Sequence, residues 1–278
     1  MPDSAPDAAA PSPLLNAQDR TGAAAPSSAR LAVVTGASSG IGAATARRLR
    51  ADGWDVVAVA RRAERLQALA RETGAVPFSA DVTNDDDIAA LVDFVAARGG
   101  LDTLVNIAGG ARGADQVGAA EQEDWDWMYQ VNVIGTMKMI RAFLPALRSS
   151  GEGTVLNLTS TAGFAAYEGG SGYNAAKFAQ HALTAALRLE EAENNLRVIE
   201  VAPGMVHTEE FTLNRLGGNK AAAEKVYDGV EKPLTADDVA RVVAYSLNLP
   251  HHINLDQIVI RPVAQAANHK LIRRPAQK

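Results

Sequence analysis

Seven short apolar runs, separated by longer amphipathic stretches, constrain this 278-residue chain more than any other feature. The runs lie at 31–35, 54–60, 76–80, 101–108, 154–160, 196–202 and 255–262. Most are rich in Val, Ile and Leu and lack strict apolar–polar alternation, the pattern of strands covered on both faces and hence of a parallel sheet. Helical patterning falls between them near 41–52, 62–73, 84–98, 121–148, 172–194 and 235–249. Strand and helix in alternation imply right-handed crossovers and a doubly wound α/β fold. The expectation is a seven-stranded, mostly parallel sheet with helices on both faces. Neither a linker nor an internal repeat divides 31–262, so one domain is expected there. Ligands of such folds bind outside the carboxyl ends of the strands.

Composition removes several classes of function. The formal charge is −5, whereas nucleic acid and anionic membrane surfaces attract a basic face, so neither is an expected partner. With no cysteine, disulfides, thiolate metal sites and cysteine nucleophiles drop out. The five histidines never fall into HExxH spacing, and no metal is expected. Residues 1–30, mostly Ala, Pro and Ser, read as a disordered tail, and 263–278 as a C-terminal tail. No apolar run approaches the roughly 18 residues of a membrane span, and no secretory signal pattern opens the chain, so the expected location is cytoplasmic.

Directly after the first run comes Thr35-Gly36-Ala37-Ser38-Ser39-Gly40-Ile41-Gly42, leading into a helix. Gly36 permits a tight turn, Gly40 lets the backbone approach a pyrophosphate, and Gly42 allows close helix–strand packing. Free N–H groups at Ser38, Ser39, Gly40 and Ile41, together with the helix dipole, would face the anion. The spacing is GxxxGxG rather than the commoner GxGxxG; its position at a strand-to-helix junction is what makes it informative. The second run ends in Ala60-Arg61-Arg62. An acid at that place suits the ribose hydroxyls of NAD, whereas a guanidinium grips a 2′-phosphate. NADP is therefore the expected cofactor, with Arg61 as first contact and Ser38 and Arg62 assisting; the competing reading has both arginines solvated at a helix start. Asp81-Val82, ending the third run, is placed to meet the adenine edge, and Asp81 reads equally as a turn residue.

Tyr173-Asn174-Ala175-Ala176-Lys177 sets a phenol and an ammonium four apart on one helical face. A cation about 4 Å from the phenol, at an effective dielectric near 20, is worth about 4 kcal/mol, enough to bring its pKa from about 10 toward 7. There it suits general acid–base work. Ser160, ending the fifth run, is placed to donate to a substrate oxygen. Asn132, inside the predicted helix 121–148, is placed to hold a water linking Lys177 to solvent. Taken singly each has an ordinary structural reading; their order along the chain, after the glycine turn, is what carries the inference.

These motifs, with Asn106-Ile107-Ala108-Gly109 and Pro203-Gly204 followed by Thr208, resemble the short-chain dehydrogenase/reductase family over essentially all of 31–262. The resemblance implies a single Rossmann-type domain and a catalytic tetrad of Asn132, Ser160, Tyr173 and Lys177. It implies cofactor contacts at Asn106, Ala108, Gly109, Pro203 and Gly204, with Tyr173 and Lys177 at the nicotinamide ribose and Val206 and Thr208 at the carboxamide. It further implies a homotetramer or homodimer built on the helices at 121–148 and 172–194. One departure stands out: Ile107 replaces a usual Asn, removing a side-chain hydrogen bond near the sheet centre.

The C-terminal third, with EVAPGMVHTEEF at 200–211 and PHHINLDQIVIRP at 250–262, looks like the branch of NADP-dependent 3-hydroxy acid dehydrogenases of serine or allo-threonine type. Residues 206–230 would then form a substrate lid eased by Gly217 and Gly218. Arg215 would pair with a substrate carboxylate or lie on a solvated lid face. The adjacent His251 and His252 point apart and read as a turn before the last strand. The expected activity is reversible hydride transfer between NADP(H) and a small secondary alcohol. The alternatives are a broad-range aldehyde or ketone reductase of secondary metabolism and a non-catalytic NADP-sensing protein.

Overall fold

The computed structural model describes residues 30–274, so the expected N-terminal tail lies, through residue 29, outside the described residues. Strands and helices alternate: β1 (Leu31–Thr35), α1 (Gly40–Ala51), β2 (Asp55–Ala60), α2 (Ala63–Thr73), β3 (Val76–Ser79), α3 (Asp85–Ala96) and β4 (Thr103–Asn106). Then follow α4 (Gln122–Tyr129), α5 (Gly135–Ser149), β5 (Thr154–Leu158), α6 (Ser171–Glu191) and β6 (Arg197–Pro203). The lid segment carries β7 (Val206–His207), α7 (Phe211–Arg215) and α8 (Lys220–Lys225). The chain continues through β8 (Leu234–Thr235), α9 (Ala236–Asn248), β9 (Gln257–Ile260), β10 (Gln265–Ala267) and β11 (Lys270–Leu271).

Seven strands form the main sheet in the order β3-β2-β1-β4-β5-β6-β9, and every neighbouring pair is parallel. Alternate residues of a strand face opposite sides. Ala32 and Val34 join Leu49, Trp54, Leu156, Ile199, Val243 and Leu247 in a core layer under α1 and α9. Leu31 and Val33 join Leu91, Leu104, Phe143, Val155 and Leu187 in the layer under α3, α5 and α6. Both faces are buried, which is why the runs lack polar alternation. Chain order runs outward from β1 to β3 and then crosses back to β4, and this reversal opens a crevice at the carboxyl ends of β1 and β4.

Three boundaries differ from the sequence expectation. The helix expected over 121–148 is two helices joined by a π-helical turn at Gln130–Ile134. Asn132 in that turn donates to the Met128 carbonyl at 2.7 Å, so a side chain takes an acceptor that a backbone N–H would otherwise use. Arg30, assigned to the tail, belongs to the domain: it stacks 3.9 Å over Trp54 and donates to the Leu247 carbonyl. Residues 263–274, also read as tail, form the β10–β11 hairpin. The Gln265 and Asn268 side chains dock that hairpin on the domain, through the Met205 N–H and the Thr161 carbonyl. It has no apolar run to announce it; polar side chains satisfying backbone groups hold it.

Candidate active site

A cleft of about 930 Å³ opens at the carboxyl ends of the strands, reaching from Ser38 and Arg62 at one end to Ser160, Tyr173 and Lys177 at the other. The glycine turn forms its floor. Gly36 has φ +69, and a Cβ there would lie 2.9 Å from the Ala108 nitrogen. Gly40 has φ +50 and opens toward Thr208, whereas a Cβ on Gly42 would lie 2.2 Å from the Gly36 oxygen. Only glycine fits this cradle. Helix α1 starts with no side-chain cap and no acid in its first turn, unlike α3, capped by Asn84, and α9, closed by a Thr235–Asp238 capping box. Its uncapped N–H groups and positive dipole end are left for an anionic group, so the site fits a dinucleotide pyrophosphate.

At the other end, β5 delivers Ser160 and α6 delivers Tyr173 and Lys177. Ser160 starts a short 3₁₀ turn, accepting from the Ala162 N–H at 3.1 Å, with the Pro203 carbonyl 3.4 Å from its hydroxyl. The Tyr173 ring meets Phe211 edge-on at 5.7 Å. Tyr173 and Lys177 are both buried. Burial pushes the Tyr173 phenol above its ordinary value and the neighbouring Tyr167 adds to that, with Ser160 and Arg215 acting the other way. Burial also brings the Lys177 amine down to about 7, with Glu200 partly opposing. The direction is thus opposite to the expected phenol near neutrality. The amine lies 5.7 Å from the phenol ring centre, and it has lost its charge before the phenol would ionise.

Asn132 also differs from expectation. Its carboxamide is spent on protein, donating to the Gly110 carbonyl and accepting from the Gly110 N–H. The connection to Lys177 runs through side chains that sequence reasoning missed. Lys177 donates to Gln180 Oε1 at 2.7 Å, Gln180 to Thr136 Oγ1 at 3.1 Å, and Thr136 to the Asn132 carbonyl at 2.8 Å. The signal was present as spacing: Gln180 is three residues beyond Lys177, and Thr136 four beyond Asn132, each on its partner's helical face.

The two arginines after β2 have different surroundings. Arg62 donates to Ser38 Oγ at 3.1 and 2.8 Å, to Ser39 Oγ at 2.8 Å and to Glu210 at 2.8 Å. Arg61 is exposed, with Asp81 3.8 Å away. Asp81 makes a turn, accepting from the Thr83 N–H and hydroxyl, and with Val82 still lines the cleft. Ala108, Gly109, Pro203, Gly204, Val206 and Thr208 line it too.

Asn106 does not line it: its carboxamide is buried in the sheet and donates to Asn157 at 2.9 Å. Ile107 lines the cleft instead. Where the usual Asn side chain is missing at Ile107, Thr35 Oγ1 accepts from both the Ile107 and Ala108 N–H groups. Arg215 reaches into the cleft while donating to the Gly113 carbonyl, the Tyr167 hydroxyl and the Gly169 carbonyl. Its guanidinium is therefore not on a solvated face. His251 sits in the turn before β9 and contacts the Asn195 carbonyl.

The family model described as short chain dehydrogenase matches residues 30–215. The chain belongs to that family. An uncharacterized oxidoreductase of Mycobacterium tuberculosis is 49% identical to this short-chain dehydrogenase over 248 residues, 89% of this chain and 97% of that protein. The serine 3-dehydrogenase of Agrobacterium fabrum is 38% identical over 240 residues, 84% of this chain and 94% of its own. The closed form of a serine dehydrogenase complexed with NADP+ superposes with a TM-score of 0.83 at 35% identity, covering 88% of this chain and 99% of that one. The dehydrogenase is thus an oxidoreductase of the CH–OH class, in the serine-dehydrogenase-like branch of its family. Among the described residues no helix is long and apolar enough to cross a membrane, and no cluster of His, Asp and Glu could hold a metal ion.

Proposed function

We propose that this short-chain dehydrogenase transfers hydride reversibly between NADP(H) and the carbinol carbon of a small secondary alcohol, with a 3-hydroxy acid as the preferred class. The observation that carries the reading is one cleft with a glycine cradle and arginine–serine cluster at one end and Ser160 beside buried Tyr173 and Lys177 at the other. NADPH, when bound, supplies the hydride for reduction. The turn from Gly36 to Gly42 would hold the pyrophosphate, Arg61, Arg62 and Ser38 the 2′-phosphate, and Val206, Thr208 and Lys177 the nicotinamide end. Tyr173 gives its phenolic proton to the carbonyl oxygen as that oxygen becomes a hydroxyl. Ser160 donates a hydrogen bond to the same oxygen and stabilises its developing charge. In its protonated form Lys177 stabilises the phenolate left behind and returns a proton to it, and the Gln180–Thr136–Asn132 chain holds the amine in place. The oxidation direction runs these proton movements backwards.

A carboxylated substrate is favoured by Arg215. Arg215 lines the cleft, and three of its five N–H donors serve protein acceptors, which leaves two for an oxyanion. The serine 3-dehydrogenase relative is consistent with that class. A homo-oligomer through α4, α5 and α6 is part of the same proposal: Tyr129, Phe178 and Leu189 expose apolar surface there. The test is a panel of 3-hydroxy acids and neutral secondary alcohols with NADPH or NADP+, repeated with NADH or NAD+ and with Tyr173→Phe. The expected result is higher kcat/KM with the phosphorylated cofactor and with carboxylated substrates, and a loss of at least about a hundredfold in the Phe variant. A preference for NADH refutes the cofactor assignment, and turnover by Tyr173→Phe within a few-fold of wild type refutes the acid.

A further inference from the structure

The phosphate end of the cleft already contains an anion supplied by the lid. Glu210, immediately before α7, has a side chain only 20% exposed, with Oε1 accepting from Arg62 Nη1 at 2.8 Å. The same oxygen accepts from Arg65 Nη1. These pairs and Ser39 hold the carboxyl down at about 2, so it is ionised throughout the working range. Arg62 is nearly saturated by its protein partners. Nε and Nη2 serve Ser38 and Ser39 and one Nη1 proton serves Glu210, leaving a single N–H of the five. Arg61, exposed and loosely opposite Asp81, keeps its donors for a ligand.

We propose that Glu210 is an internal rival of the cofactor's 2′-phosphate for Arg62, and that it thereby sets how strongly the enzyme prefers a phosphorylated dinucleotide. The inference rests on the NADP reading above. A phosphate entering beside Arg61 and Arg62 must displace the carboxylate or share the guanidinium with a like charge, and either lowers its affinity. A ribose bearing a free 2′-hydroxyl contests nothing and leaves the pair intact. Glu210 therefore works against the arginines in selecting NADP(H). Because it opens α7, its displacement also detaches the start of the lid from α2, so the phosphate end and the substrate end of the cleft are coupled through one side chain.

Calorimetric titration of the full chain with adenosine 2′,5′-bisphosphate and with adenosine 5′-monophosphate isolates the 2′-phosphate without turnover. Glu210→Gln is expected to bind the bisphosphate about three- to tenfold more tightly while the monophosphate stays within about twofold. Glu210→Asp, which keeps the charge, is expected to gain less than Glu210→Gln. In an Arg62→Ala background the gain is expected to vanish, because the contested donor is gone. Thermal unfolding checks that each variant is folded. An unchanged or weaker affinity for the bisphosphate in Glu210→Gln overturns the proposal. So does an equal gain for both ligands, which would mean a lid effect alone. A gain that persists without Arg62 also overturns it, since the cause would then be the freed Arg65. If wild type and Glu210→Gln both prefer the monophosphate, the NADP reading fails and takes the proposal with it. A wild type that prefers the bisphosphate with no gain in the variant overturns Glu210's role alone.

Discussion

Replacing Lys177 with Met is expected to change how stability depends on pH in a direction opposite to most ion-pair substitutions. The Lys177 amine is buried, and its pKa falls from 10.5 to about 7 on folding. Between those values the unfolded chain holds a proton that the folded chain has released, so unfolding takes up a proton and stability rises with pH. Below about pH 7 both states are protonated and the full penalty of burying the ammonium is present; it is relieved progressively toward pH 10.5. A single group following those two values adds about 2 kcal/mol to wild-type stability between pH 7 and pH 9. Lys177→Met removes this term. It also leaves the acceptors Gln180 Oε1 and the Leu158 carbonyl without their donor, a cost of about 1–3 kcal/mol that does not vary with pH.

The informative quantity is therefore the difference between variant and wild type as a function of pH, in which the titration of every other group cancels. Urea unfolding of cofactor-free protein at pH 6, 7, 8 and 9, at one protein concentration and followed by tryptophan fluorescence, supplies it. The variant is expected to compare best with wild type near pH 6 and to lose about 3 kcal/mol relative to it by pH 9. A difference that stays flat over that range would mean the amine keeps its ordinary pKa. The account of a desolvated Lys177 beside Tyr173 would then be wrong, whatever happens to turnover.

Two further outcomes follow from the same geometry. Gly42→Ala places a Cβ 2.2 Å from the Gly36 oxygen, and separating α1 from the turn is expected to cost about 2 kcal/mol or more in urea unfolding, with a matching loss of nucleotide affinity. Gln180→Leu removes the acceptor of Lys177 and the donor to Thr136; kcat is expected to fall about tenfold with the KM for cofactor nearly unchanged, and Gln180→Glu, which retains an acceptor for the amine, is expected to recover part of it.

The layers of the fold were legible because their physics is local. Ala32 and Val34 on one face and Leu31 and Val33 on the other are all apolar, and a run of that kind has few alternatives to a doubly covered strand. The glycine turn was legible for a similar reason: positive φ at Gly36 and Gly40 and the contact at Gly42 exclude any side chain. What escaped notice depends on partners distant in sequence. Nothing local to 263–274 announces a hairpin, since it is held by Gln265 on the Met205 N–H and by Arg273 on the Val226 carbonyl. Arg61 and Arg62 are neighbours in sequence, yet of the two only Arg62 meets Glu210. The phenol's pKa was misjudged because a sequence shows the cation four residues away but not the burial that discharges it.

Asn106, read as a cofactor contact, and Asn132, read as a catalytic residue holding a water for Lys177, both belong to one buried polar network beneath the cleft. Asn106 donates to Asn157, Asn157 to Thr184, and Thr184 to the Gln180 carbonyl. Gln180 then joins Lys177 to Thr136, and Thr136 to the Asn132 carbonyl. The chain thus spans β4, β5, α6 and the π turn ahead of α5, and each of these side chains is buried. Buried polar groups are costly unless satisfied, so a network of this kind holds one arrangement against all others. Its cleftward end is the Lys177 amine, whose proton the proposed chemistry uses. The Asn106 side chain and the Asn132 backbone carbonyl thus anchor the scaffold that sets the amine at its distance from Tyr173.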